Sequence, residues 1–274
     1  MAFVRSFIPR RFMSSLLVSL SHESQVKTIS LNDPKTRNSL SLPLLRDLKA
    51  QFQGPQDDVL RVIILQSSDS RVFSGGHDLK ELAFGNEKDH KEIFDTCGNL
   101  NKAIRRCPIP VIAAVDGLAA AAGCQIVAAC DISIATKKSS FSTPGASVGI
   151  FCSSPGVPLV RSANLKTSAY MLLTGKPINA AHALASGLLS RLVEDGAELE
   201  RELEVMCRAI MDKPRGVIAL GKKFMYEQAE MASLEKALSA SSDVMVNNLG
   251  YRDTKEGMNA FLKKRKPQWH HSQE

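Results

Sequence analysis

Short apolar runs alternate along the chain with longer segments whose apolar positions recur at helical spacing. Residues 25–31, 61–66, 111–115 and 131–135 read as strands. Ser41 opens a helix with Leu44, Leu45, Leu48 and Phe52 on one face, ended by Gly54-Pro55. Residues 90–106 form an amphipathic helix carrying Ile93, Phe94, Cys97, Leu100 and Ile104, stopped by Pro108 and Pro110. Strand–loop–helix alternation implies parallel strands with crossover helices. Near Asn179 the alternation ends, and residues 167–173, 180–186, 197–211, 216–229, 234–248 and 253–264 all read as helices. Residues 84–89 form a polar, mobile loop in this reading, and residues 145–156 a Gly-, Ser- and Pro-rich one.

Two strand–loop–helix turns are stripped of side chains. Residues 111–131 read VIAAVDGLAAAAGCQIVAACD: a strand, a turn at Asp116-Gly117, then a helix whose first turn holds Ala121, Ala122 and Gly123. A helix N-terminus offers free N–H groups and partial positive charge, so a ligand oxygen can approach the bare backbone there. The same small residues also suit close packing of a buried helix. Residues 73–82, FSGGHDLKEL, repeat the arrangement, with Ser74, Gly75 and Gly76 in the loop and Asp78 and Glu81 as an N-cap and capping-box pair. Two bare amides converging on one developing negative oxygen are what an oxyanion hole requires.

The 274 residues suffice for one large core with an appended helical region, and 44% apolar and 23% charged content is ordinary for a globular chain. The start carries Arg5, Arg10 and Arg11, several serines and no acid before Glu23. That pattern reads as a mitochondrial transit peptide, and residues 1–20 are set aside as such. No apolar run approaches the roughly 20 residues that span a bilayer. The net charge of +7 resides in those arginines and in Lys263, Lys264, Arg265 and Lys266. The body is neutral, so no nucleic-acid partner is expected. The six cysteines form no C-x-x-C pair and no histidine sits at ligand spacing, so reduced thiols and no metal site are expected.

The two stretches together resemble the crotonase (enoyl-CoA hydratase/isomerase) superfamily. NDPKTRNSL is similar to its N-x-P-x-x-x-N-A-L segment, and KEGMNAFLKKRKP to its E-G-x-x-A-F-x-x-K-R-x-P close, so the resemblance covers residues 25–269. It implies an α/β spiral of ββα units over residues 21–195 and a C-terminal helical region over 196–274 that covers the site and builds trimers or hexamers. The partner implied is an acyl-CoA thioester, with coenzyme A entering as part of that ligand and no separate cofactor. The donors would be the amides of His77 and Ala122. Coenzyme A would meet Arg37, the backbone around Ser74 and Gly75, Lys80, and Phe261 and Lys264 at the nucleotide end.

Hydratases of that family add water with two glutamates, whose positions match Gln125 and Gly145 here. Neither residue transfers a proton at neutral pH, so efficient alkene hydration is not expected. Restoring both glutamates is expected to raise any hydratase activity. Gln125 either orients water or the thioester, or bonds within the core. His77 either takes part in chemistry, as its G-H-D setting in family decarboxylases suggests, or faces solvent or phosphate. Cys152, where those decarboxylases carry tyrosine, is either a site residue or a buried inert thiol. Two functions stay open, both in a mitochondrial matrix protein of fatty-acid metabolism: a non-catalytic acyl-CoA binder, or an enolate-stabilising isomerase, decarboxylase or weak hydratase.

Overall fold

The computed structural model describes residues 15–272. Five strands of the main sheet are β2 (Val26–Leu31), β3 (Val62–Ser67), β5 (Val111–Val115), β7 (Ile132–Thr136) and β10 (Arg191–Val193), parallel and in that order. A second sheet holds β4 (Val72–Ser74), β6 (Leu118–Ala120), β8 (Ser140–Ser142) and β9 (Ile178–Asn179). The turns that open with β3, β5 and β7 each place one strand in the main sheet and the next in the small sheet, and then a helix. The helices are α1 (Leu42–Ala50), α2 (Leu79–Phe84) with α3 (Glu87–Arg106), α4 (Ala122–Ala129) and α5 (Ser153–Ser162). This is the spiral of ββα units that the resemblance implied.

The central strands β3 and β5 are buried on both faces, which is why they read as continuous apolar runs. Ile63, Leu65, Val111 and Ala113 face one way, into a cluster with Leu44, Leu45 and Leu48 of α1 and Leu100 and Ile104 of α3. Val62, Ile64, Ile112 and Ile134 face the other way, against Leu199, Leu203 and Cys207. Those three belong to α8 (Gly196–Met211), so the first helix beyond residue 195 completes the core. The remaining helices are α6 (Leu165–Thr174), α7 (Ala180–Ser186), α9 (Arg215–Ala229), α10 (Leu234–Gly250) and α11 (Arg252–Leu262). Among the described residues no helix is long and apolar enough to cross a membrane.

Three boundaries differ from the sequence reading. β1 (Leu16–Ser21) pairs antiparallel with β2, so the folded unit includes residues 16–20, which were set aside as targeting sequence. Residues 1–14 lie outside the described residues. α3 starts at Glu87 rather than 90, because Asn86 and Asp89 form a reciprocal capping box inside the expected loop. α5 begins at Ser153, inside the other expected loop. Pro155 sits in its first turn, where an N–H would have no intrahelical partner, so loop-like composition conceals a helix.

A buried ion pair fastens the C-terminal helices to the spiral. Lys222 of α9 donates to the carbonyls of Ile104 and Ile109, both at 3.0 Å, and to Asp131 Oδ2 at 2.6 Å. Asp131 also accepts from the Val111 N–H and the Tyr226 hydroxyl, each at 2.7 Å. Burial pushes the Asp131 carboxyl above its usual range, and Lys222 opposes that shift. At the far end, the fully buried Asp253 accepts the amides of His270 and His271, folding the tail back onto α11. Lys222→Met removes one charge of the buried pair and is expected to cost about 3–5 kcal/mol in chemical denaturation. A loss below about 1 kcal/mol would show that the pair does not hold α9.

Candidate functional site

The two bare turns meet backbone to backbone. Gly76, at φ +96°, leaves no room for a side chain: a Cβ there would lie 2.8 Å from Ala121 Cβ and 3.3 Å from the Ala122 nitrogen. A Cβ on Gly123 would lie 2.6 Å from the Ser74 carbonyl oxygen. These two contacts set the first loop against the N-terminus of α4. His77 forms an isolated parallel bridge with Leu40, through the Leu40 N–H donating to the Gly76 carbonyl at 2.8 Å. In such a bridge the neighbours of His77 face Leu40, so its own N–H points the other way. Among the described residues neither the His77 nor the Ala122 amide donates to another protein group.

Ala121 carries the strain of this arrangement. It precedes α4 at φ +48° and ψ −117°, a region where a Cβ is unfavourable, and its N–H donates to Ser142 O at 2.9 Å. That bond ties the turn to β8. A glycine would sit there without that steric cost.

Asn38 is the hub behind the first loop, and the sequence reading assigned it no role beyond its motif. Fully buried, it donates to Ser67 Oγ at 2.8 Å, Phe73 O at 3.0 Å and Val72 O at 3.1 Å, and accepts the Asp33 N–H at 2.7 Å. Ser74 donates its hydroxyl to Asn38 O at 2.8 Å, and the Gly75 N–H donates to Arg37 O at 2.9 Å. The Gly75 N–H, part of the backbone expected to meet coenzyme A, is therefore committed to Arg37. The Arg37 side chain is exposed on the outer side of this turn. Asp78 caps α2 as expected, accepting the Lys80 N–H at 2.8 Å, while the Lys80 side chain is exposed. Glu81 does not close a capping box: its carboxylate accepts the Leu42 N–H at 2.9 Å and caps α1, where Ser41 makes no side-chain cap. Phe261 and Lys264 lie at the end of α11, which packs on α9 and α10, and both are exposed.

His77 is mostly buried, yet neither ring nitrogen has a partner of normal hydrogen-bond geometry. Its ring meets Phe94 edge-on, with centroids 5.3 Å apart. Burial pushes the imidazole below its ordinary pKa, against a smaller pull from the Leu40 backbone. Gln125, 3% exposed, takes the Cys97 thiol on Oε1 at 3.6 Å. Burial pushes the Cys97 thiol up to about 12. Cys152 accepts the Gly145 N–H on Sγ at 3.3 Å, and burial raises its pKa too, so it holds a proton and is no thiolate nucleophile. A Cβ on Gly145 would lie 2.2 Å from Ile150 O and 2.7 Å from Cys152 Sγ. Beside it the Thr143 hydroxyl is buried without a partner. Cys97, Asn101 and Thr143 escaped the sequence reading: Cys97 sits on the apolar face of its helix and read as core. A cavity of about 830 Å³ lies apart from these groups, lined by Arg105, Arg106, Tyr226 and Tyr251 among others.

The enoyl-CoA hydratase/isomerase family model matches residues 21–272. The chain belongs to that family. It is 48% identical over 247 residues to the mitochondrial enoyl-CoA hydratase domain-containing protein 3 of Homo sapiens, covering 90% of this chain and 81% of the relative. The crystal structure of the human enoyl coenzyme A hydratase domain-containing protein 3 superposes with a TM-score of 0.89 at 45% identity, over 93% of this chain and all of that one. An enoyl-CoA hydratase structure from Mycobacterium smegmatis gives 0.90 at 38% identity, over 94% of this chain and 100% of that one. The fold is thus the crotonase fold.

Ala121→Gly relieves the positive φ and is expected to stabilise the protein by about 1 kcal/mol in denaturant unfolding. A destabilisation would show that the Ala121 methyl packs favourably enough to offset its backbone. His77 supplies a second test. Above its ordinary pKa of about 6.5 it is neutral in both folded and unfolded chains, and pH has no leverage through it. As pH falls through 6.5 the unfolded chain takes a proton that the buried ring resists, so stability is lost. Between about pH 7 and 5 the unfolding free energy should fall more steeply in the parent than in His77→Gln. Equal slopes would contradict the buried, neutral ring.

Proposed function

We propose that this protein binds acyl-CoA thioesters, holding the thioester oxygen between the amides of His77 and Ala122, and that it does not hydrate enoyl-CoA efficiently. The observation that carries this reading is a contrast within one site. The two donor turns are pressed together by Gly76 and Gly123 with both amides unused. Positions 125 and 145 meanwhile offer a neutral amide and a glycine whose side-chain space is filled by Ile150 and Cys152. Carbonyl polarisation is retained; proton transfer to and from water is not. The mitochondrial names of the relatives and the arginine-rich start support a place in the matrix, and the family supports a role in fatty-acid metabolism and a homotrimer or hexamer.

The second reading, an enolate-stabilising isomerase, decarboxylase or weak hydratase, rests on His77. A neutral imidazole with two unpartnered nitrogens beside a polarised carbonyl is poised to exchange a proton.

Titration calorimetry with butyryl- and crotonyl-CoA, together with mass spectrometry of the incubated thioesters, separates these readings. Binding of both without hydration of crotonyl-CoA supports the binder; hydration at an ordinary enzymatic rate overturns it. Turnover of any 3-enoyl or branched malonyl thioester that is lost in His77→Ala gives the second reading. The sequence alone suggested that glutamates at 125 and 145 would raise hydration. The crowding of a side chain at 145 against the Ile150 backbone supports the opposite expectation. Gln125→Glu with Gly145→Glu should show no gain in hydration and a lowered melting temperature; a gain would contradict the filled position.

A further inference from the structure

One stripe of α3 meets the polar side chains around the two turns. Phe94, Cys97 and Asn101 stand at i, i+3 and i+7, so they share a helix face. Phe94 meets the unpartnered His77 ring, Cys97 meets Gln125, and Asn101 leaves its own Oδ1 unpartnered.

The stripe also fixes which way Gln125 faces. Asn101 donates through Nδ2 to the Cys97 carbonyl at 2.7 Å, and a carbonyl only accepts, so that edge of Asn101 is its NH2 group. The same Nδ2 lies 4.0 Å from Cys97 Sγ, which is thereby an acceptor from Asn101. The thiol keeps its proton and gives it to Gln125 Oε1. Gln125 therefore turns its oxygen toward α3 and presents its NH2 group on the other edge, where among the described residues no hydrogen bond from it is found. Position 125 offers hydrogen-bond donors where a glutamate would offer an acceptor.

We infer that Gln125 selects a thioester bearing a second carbonyl at C3, a 3-oxoacyl group, by donating its NH2 to the C3 oxygen. This rests on the thioester-binding reading above. Ala122 and Gln125 stand one turn apart on α4, and the inference sets the two oxygens of a 3-oxoacyl group, on alternate carbons, one against each. A butyryl group of the same length leaves the NH2 unpaired. A carboxylate at that place would be a buried anion beside the neutral groups of Gln125, Cys97 and His77, with no cation among them to offset its desolvation. Cys97 and Asn101 are positioning residues in this scheme.

Titration calorimetry of the parent protein with acetoacetyl-, butyryl- and malonyl-CoA tests the inference. Acetoacetyl-CoA should bind about tenfold more tightly than butyryl-CoA, the worth of one added hydrogen bond, and malonyl-CoA should bind no more tightly than butyryl-CoA. Gln125→Glu should abolish the acetoacetyl preference while butyryl-CoA still binds. Cys97→Ala should weaken the preference and Cys97→Ser should restore it. Equal affinity of the parent for acetoacetyl- and butyryl-CoA overturns this inference and leaves the thioester reading standing. Malonyl-CoA binding most tightly overturns the assignment to a neutral oxygen. Failure of all three to bind overturns both.

Discussion

The close approach of two backbones at Gly76 and Gly123 is the constraint on which this site depends. A loop from one ββα turn and a helix N-terminus from the next are brought within van der Waals contact without an intervening side chain. Only glycine permits this at either position, and Gly76 needs a positive φ as well. The rest of the spiral serves the contact. β4 and β6 lie side by side in the small sheet, so the loops that leave them emerge as neighbours. Asn38 braces the strand entering the first loop from behind through the carbonyls of Val72 and Phe73, and the bond from Ala121 to Ser142 fixes the second. Strain at Ala121 is the visible cost of holding the amides in place.

The chemistry around those amides is neutral. The thiols of Cys97 and Cys152 keep their protons, His77 is discharged by burial, and the side chain at 125 is an amide. Charge is concentrated elsewhere, in the Lys222–Asp131 pair that fastens α9 to the spiral and in the Asp253 carboxylate that gathers the tail. A site with donors and no ionised group polarises a carbonyl well, because donors in a water-poor setting act at full strength. It is poorly equipped to move protons between water and carbon.

Much of this was legible in the sequence. The central strands β3 and β5 declared themselves as apolar runs and α3 by its periodic stripe, whereas β10 lies in a stretch that read as all helical and gains its identity from pairing with β7. The bare turns at 74–77 and 121–123 announced the site. Other features depended on tertiary partners that spacing does not encode. β4 and β6 are three residues long and gain their identity from pairing. Glu81 looked like a partner for Asp78, yet caps a different helix. Cys97 read as core, yet its thiol donates to Gln125 Oε1. The space at Gly145 is closed by residues five and seven positions later, so the sequence showed a missing carboxylate without showing that the place for it was filled.

The central claim is that the amides of His77 and Ala122 grip a thioester carbonyl. The most direct measurement is the infrared stretch of that carbonyl in butyryl-CoA carrying ¹³C at C1, compared free and bound. Two donors on one oxygen weaken the C=O bond, so the band should move to lower frequency on binding and move back when water replaces the protein. A bound thioester whose carbonyl band stays at its free position would show that the ligand sits elsewhere, and that the paired turns serve packing alone.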